Sequence, residues 1–213
     1  MITRKIPSNN IRPEDLPQLF EEQAFTWNEI ACCNWPQAFP YRPKAAFRIS
    51  YNDQALLLHY RVEEASVKAE AADNGPIWTD SCVECFISPV GDGLYYNIEA
   101  NCAGQLLIGC GRDRHNRTRA DQEIRDKVQR WSNLGREPFG ERPLHTAWEL
   151  ALVLPFECFF RHHIASLEDC WLKANFYKCG DGLTQAHYLS WQPIISEKPD
   201  FHRPEFFAEI LCR

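Results

Sequence analysis

"DSCVECFISPVGDGLYYNIEANC", residues 80–102, contains two alternating runs separated by a turn. In the first run Val83, Cys85 and Ile87 alternate with Cys82, Glu84 and Phe86. In the second, Tyr96, Ile98 and Ala100 alternate with Asn97, Glu99 and Asn101. Successive side chains of a strand point to opposite faces, so a period of two predicts strands with one face on a core. The proline and glycines of the intervening "SPVGDG" suit a hairpin loop. An antiparallel hairpin follows, apolar on its inner face, with Glu84, Asn97, Glu99 and Asn101 sharing the outer one.

The same period extends in both directions. "AFRISY" aligns Phe47, Ile49 and Tyr51, and "ALLLHYRV" aligns Leu56, Leu58, Tyr60 and Val62 with His59 and Arg61 opposite. "NDQ" between them, Asn52 to Gln54, predicts a tight hairpin turn. "GQLLIGC", "TAWELALVL", "CWLKANFYKC", "HYLSW" and "EFFAEILC" alternate in turn. About nine short strands with few helices predict an all-β fold, an antiparallel β-sandwich of immunoglobulin-like or jelly-roll-like build. Three short helices are expected: Arg12 to Gln23, Ala120 to Trp131 with Ile124, Val128 and Trp131 at helical spacing, and a Pro155-led piece in "PFECFFRHHIA". No repeat or linker divides the chain, so residues 1–213 read as one domain, with 1–24 as an N-terminal extension packed on it.

The bulk properties narrow the function. The 213 residues are 45% apolar and 13% aromatic, enough for a real core, and the net charge is −6. That balance argues against a general phosphate-backbone binder, so nucleic acid is not an expected partner. The basic run "GRDRHNRTR", Gly111 to Arg119, is followed at once by Asp121 and Glu123 and reads as a solvated loop. No stretch approaches the ~20 apolar residues that cross a membrane, and the N-terminus lacks an apolar signal segment. The expectation is a cytoplasmic protein, or a secreted or periplasmic one if a leader has been removed. Oligomeric state is left open. Among ten cysteines, Cys82-x-x-Cys85 has the spacing of half a zinc site or a redox pair. On a strand, however, those two positions face opposite ways, so free structural thiols are expected and no metal ligands are assigned.

Function points to the outer face of the hairpin. Amides and carboxylates in fixed array suit sugar hydroxyls, which both donate and accept; the plain alternative is a polar sheet face under water or loops. Trp78 stands at one predicted strand end and Trp191, in "YLSWQPI", at another, whereas Trp148 alternates with Leu150 and Leu152 as a core residue. "W-x-D-S-x-V-E-x-F-I" from Trp78, "YYNIEAN-x-x-G-x-L" from Tyr95 and "SW-x-P" from Ser190 resemble the carbohydrate-binding modules of family 9, in particular the family 9-like branch. The ending "FYKCGDGLTQAHYLSWQPI…PDFHRPEFF" resembles that branch as well.

The resemblance implies a non-catalytic sandwich, active in polysaccharide degradation, that holds a mono- or oligosaccharide, or a polysaccharide end, between two tryptophans. These map onto Trp78 and Trp191, with Glu84 binding sugar hydroxyls. Well-studied members also use an arginine on the following strand, where this sequence has Asn97, Glu99 and Asn101. Some relatives hold structural calcium, for which Asp80 and Asp92 are the candidates; no other cofactor is implied. In "DFHRPEFF", His202 and Arg203 border the site or act as a strap, and Phe206, Ala208 and Ile210 are expected to face inward.

Three rivals remain. Glu84 and Glu99 as acid and nucleophile would make a glycoside hydrolase, given a separation of about 5–5.5 or 6.5–9.5 Å. A haem site of the methionine–histidine kind is excluded because Met1 is the only methionine. The third is a protein-partner-binding sandwich in which the same tryptophans are hot spots. His162–His163 reads as a solvent-facing pair on a short helix.

Overall fold

The computed structural model describes residues 1–213. In chain order the strands are β1 (Ile2–Thr3), β2 (Asn28–Glu29), β3 (Cys32–Cys33), β4 (Lys44–Tyr51), β5 (Ala55–Glu63), β6 (Ser66–Ala69), β7 (Cys82–Ser88) and β8 (Tyr95–Asn101). They continue as β9 (Leu106–Gly111), β10 (Arg117–Arg119), β11 (Gln129–Ser132), β12 (Phe139–Pro143), β13 (Trp148–Pro155), β14 (Trp171–Cys179), β15 (Tyr188–Ser190) and β16 (Ala208–Cys212). Two short α-helices, α1 (Leu16–Glu22) and α2 (Gln122–Asp126), complete the fold. No helix is long and apolar enough to cross a membrane.

The larger sheet runs β1-β16-β14-β7-β8-β9-β10, with β15 and β3 branching from β14. The smaller runs β11-β13-β5-β4-β2. Every pairing is antiparallel except β1 with β16. The expected β-sandwich is therefore present, and the face assignments of β4, β5, β7 and β8 hold. Phe47, Ile49, Tyr51, Leu56, Leu58, Tyr60 and Val62 from one sheet meet Val83, Cys85, Ile87, Tyr96, Ile98 and Ala100 from the other in one core. Phe47 and Phe176 stack across the interface, ring centroids 3.6 Å apart. Trp148 is fully buried, and its indole N–H donates to Glu64 at 2.7 Å.

The outer face of the smaller sheet is covered by the N-terminal segment. Ile6, Ile11, Leu16 and Phe20 pack on Leu57, Ala151 and Val153. Beneath that cover His59 lies 3.0 Å from Arg48 and 3.0 Å from Glu149, and Arg48 donates to Glu21 of α1. The Arg48 guanidinium also sits 4.1 Å from the centre of the Trp27 ring. Arg48 of β4 and His59 of β5, both on the face away from the inter-sheet core, are thus buried and partnered beneath the N-terminal segment, as a buried cation requires.

The helical expectations fare unevenly. The first holds, as a 3-10 turn, Pro13–Asp15, leading into α1. The second is cut short: α2 ends at Asp126, and Gln129–Ser132 pairs with β13 as an edge strand, taking Trp131 off the helix. Hydrogen bonds to β13 replace a helical end that offered only Val128 and Trp131 to a core. The third contracts to the 3-10 turn Phe156–Cys158. His162 is not solvent-facing: its ring lies 2.8 Å from the Tyr96 hydroxyl and 3.3 Å from Asp92.

Candidate functional site

A cleft of about 340 Å³ opens on the outer face of the larger sheet, within the ~300–1,000 Å³ usual for small-ligand sites. Its floor is built from outward positions of adjacent strands: Glu84 and Phe86 on β7, Asn97 and Glu99 on β8, Leu107 and Gly109 on β9, and Cys179 on β14. Pairing puts Glu84 directly opposite Glu99, and Phe86 opposite Asn97. Arg114, His115, Arg117 and Arg119 form one wall. Trp78, Asp181, Tyr188 and the segment Pro199–His202 form the others.

A second apolar cluster, outside the sandwich core, holds these walls. Trp35, Ile77, Phe86, Tyr95, Tyr177 and Phe201 pack on the outer face, with Trp78, Tyr188, Phe206 and Phe207 against them. Two glycines make close approaches possible. A Cβ at Gly109 would lie 2.5 Å from the Asn97 side-chain oxygen, and one at Gly182 would lie 2.6 Å from the Thr79 carbonyl. The second contact lets the Asp181–Gly182 turn dock on the Trp78 turn, where the Asp181 N–H donates to the Trp78 carbonyl at 3.1 Å.

The polar groups of the floor are only partly satisfied by the protein's own side chains. Arg117 donates through Nε to Asn97 Oδ1 at 2.8 Å, and Asn97 Nδ2 donates to Glu99 Oε1 at 2.7 Å. Glu99 Oε2 is buried with no hydrogen-bond partner in the protein. Arg117 also stacks on Tyr95, 4.2 Å from the ring centre, and donates to the Tyr95 carbonyl. Burial pushes the Glu99 carboxyl up to about 7, against the Asn97 and Arg117 contacts that favour its charge. Burial, and next the neighbouring Glu99, push Glu84 well above the ordinary carboxylate range. Asp181 is raised to about 6, again chiefly by burial. His202 lies 2.9 Å from the Tyr95 hydroxyl, and burial lowers its pKa to about 3, so the ring is neutral near pH 7. Such a floor offers acceptors, neutral donors and one ordered arginine, a set able to grip several hydroxyls at once.

Of the residues singled out from the sequence, Trp78, Glu84, Asn97, Glu99 and His202 line this cleft. Trp191 does not. β15 alternates Tyr188 outward with Leu189 inward, and Trp191 continues the inward phase, its ring centroid 5.5 Å from Phe47 and 5.8 Å from Phe176, both edge-on. Tyr188 is the aromatic that this strand gives to the cleft. Asn101 is fully buried and ties Asp80 to the Ala103–Gln105 turn. Arg203 pairs with Glu205 at 2.7 Å, outside the cleft. Phe206 packs with the outer cluster, whereas Ile210 and Cys212 reach the core. Asp80 and Asp92 flank opposite ends of β7, and Asp80 accepts from the Glu70 and Ala71 backbone.

The structure adds Arg117, Tyr188, Asp181 and Phe201 to the site. Arg117 belongs to the basic run expected to be a solvated loop, whose end instead pairs with β9 as edge strand β10. The one sequence signal for it is the "RTR" alternation, which puts Arg117 and Arg119 on a single face.

A sandwich whose sheet face carries an aromatic-walled cleft floored by carboxylates and an amide has the build of a small-ligand binding module. The chain belongs to carbohydrate-binding family 9, whose model matches residues 14–212. A candidate carbohydrate-binding protein from Bacteroides uniformis ATCC 8492 is 44% identical, covering 100% of this chain and 98% of that one, with a TM-score of 0.96. A family 9 module from Caldicellulosiruptor kristjanssonii in complex with glucose shares the fold at 10% identity and TM-score 0.64, covering 100% and 96% of the two chains. The cellotriose complex of a family 9 module from the same organism gives 11% identity and 0.58, over 100% and 94%. No match is found among curated proteins.

Proposed function

We propose that this chain binds the end of a saccharide in the cleft, without turning it over. One observation carries the reading: Glu99 Oε2, buried at the cleft floor with no partner in the protein, beside a second raised carboxyl. An unsatisfied buried acceptor costs about 1–3 kcal/mol, which a donated sugar hydroxyl would recover. Membership of family 9, and the glucose and cellotriose held by structural neighbours of low identity, support a saccharide as the donor. In this arrangement Trp78 offers its ring to the flat C–H face of a pyranose, with Tyr188 as the second aromatic of the cleft in place of a second tryptophan. Glu84, Asn97 and Glu99 take hydroxyls from below, Asn97 and Glu99 being oriented by Arg117.

Binding rather than hydrolysis is supported by membership of carbohydrate-binding family 9 and by the state of the carboxyls. A retaining glycosidase needs one of its pair ionised as the nucleophile, whereas burial pushes Glu84 and Glu99 both upward. Titration with glucose and cellobiose, followed by tryptophan fluorescence and calorimetry, tests the reading, with a glycan array carrying reducing-end and non-reducing-end variants to set the preference. Affinities in the micromolar to millimolar range are expected, about −8 to −4 kcal/mol. No response across the array would favour a protein partner. Steady release of reducing sugar, lost in Glu84→Gln or Glu99→Gln, would make the protein an enzyme.

A further inference from the structure

Below the cleft, β7 and β14 bring together three ligating side chains that neither strand holds alone. Cys82 and Cys179 are direct cross-strand partners, and both point to the outer face with Glu84. Glu84 Oε1 lies 3.1 Å from Cys179 Sγ and 3.9 Å from Cys82 Sγ, and the three ligand atoms fall within 4.8 Å of one another. All three residues are buried.

We infer that Cys82, Cys179 and Glu84 form a binding site for a single thiophilic divalent cation of the zinc type. The spacing suits it. With metal–sulfur bonds of about 2.3 Å and metal–oxygen bonds of about 2.0 Å, a tetrahedral ion sets sulfur–sulfur at about 3.8 Å and sulfur–oxygen at about 3.5 Å. The two sulfur–oxygen distances bracket that value, so small side-chain rotations would close the site. Two thiolates and a carboxylate select a borderline-soft ion over magnesium or calcium, which take all-oxygen shells. Glu84 and Cys179 both face the cleft, so the fourth position opens on the cleft side, for water or a ligand oxygen.

Thiolate and carboxylate ligands bind in their deprotonated forms, so uptake of the ion displaces the protons of Cys82, Cys179 and Glu84. The site rests on these side chains alone and not on the saccharide reading.

The test uses the full chain, purified with a non-thiol reductant and stripped with chelator. Titration with cobalt(II) should give one equivalent of tight binding with a sulfur-to-cobalt charge-transfer band, displaced by zinc. The band should vanish in Cys82→Ser and in Cys179→Ser. It should persist when Cys32, Cys33 and Cys170, the three less-buried thiols, are all changed to serine. A second measurement needs no variant: zinc should slow alkylation of Cys82 and Cys179 in the native protein, read by peptide mass. Absence of a thiolate band in the unaltered protein, loss of the band with the three less-buried thiols, or a Cys82–Cys179 disulfide in the reduced preparation would each overturn the inference.

Discussion

Trp78 and Trp191 should respond in opposite ways to removal. Each stands close to a strand end, but Trp191 lies edge-on to Phe47 and Phe176 in the inter-sheet core while Trp78 lines the cleft. Full burial of a large aromatic makes its truncation cost about 3–5 kcal/mol. Trp191 is part-buried, so about 2–3 kcal/mol is expected, including two edge-on pairs worth about 0.5–1.5 kcal/mol each. For a chain of this length that lowers the melting temperature by about 4–12 °C. Trp191→Ala should leave sugar affinity close to wild type. Trp78→Ala should do the reverse, weakening binding about tenfold, or ~1.4 kcal/mol, with a stability loss within about 1 kcal/mol. Trp148→Ala sets the scale for a core tryptophan, since its loss also strands the Glu64 oxygen it serves. Calorimetric unfolding and sugar titration of all three variants decide the matter. Normal melting with lost binding in Trp191→Ala would restore a two-tryptophan clamp and refute this placement.

Arg117→Ala should weaken sugar binding by about 1.5–3 kcal/mol, because hydrogen bonds to charged groups are worth that much and Asn97 and Glu99 lose their orientation. Arg117→Lys should recover little, since an ammonium cannot span Asn97 Oδ1 and the Tyr95 carbonyl as the guanidinium fork does; full rescue by lysine in calorimetry would show that charge alone matters. Glu99 keeps its proton in the folded chain up to about 7, so its contribution favours folding in acid and is lost as pH rises from about 4.5 through 7. Burial lowers His59, His187 and His202 and pulls the opposite way below about 6.5, so the informative quantity is Glu99→Gln minus wild type. That difference should grow in favour of the variant by about 2–3 kcal/mol between pH 5 and 8, and a pH-independent difference in denaturant titrations would remove the raised carboxyl from the account.

Seven of the nine alternating runs visible in the sequence are the seven longest strands of the sandwich, β4, β5, β7, β8, β9, β13 and β14, and the other two contain the shorter β15 and β16. Period two identifies them because each has one face on the core. The remaining strands run from two to five residues, too short for any period to rise above chance. Their pairing is decided by the neighbour that needs an edge, as Gln129–Ser132 finds on β13. Phase was harder to read than period. Trp191 ends the run "HYLSW" at a strand end, yet it is in step with Leu189, and the residue facing the cleft is Tyr188.

The floor of the site was legible for a reason that the walls do not share. Glu84, Asn97 and Glu99 occupy outward positions of two strands joined by a hairpin, so local pattern fixes both their face and their mutual register. Arg117, Asp181, Phe201 and Cys179 come from segments separated from that hairpin by up to about a hundred residues, and only the strand order β14-β7-β8-β9-β10 assembles them. The cysteines make the point most sharply. Sequence spacing offers Cys82 and Cys85 as partners, but the pleat sends one outward and the other into the core. The true neighbour of Cys82 is Cys179, set opposite it by the pairing of β7 with β14. A two-cysteine arrangement at the cleft floor is therefore a product of sheet topology, invisible to any spacing rule, and Glu84, two residues along β7 from Cys82, stands beside both thiols.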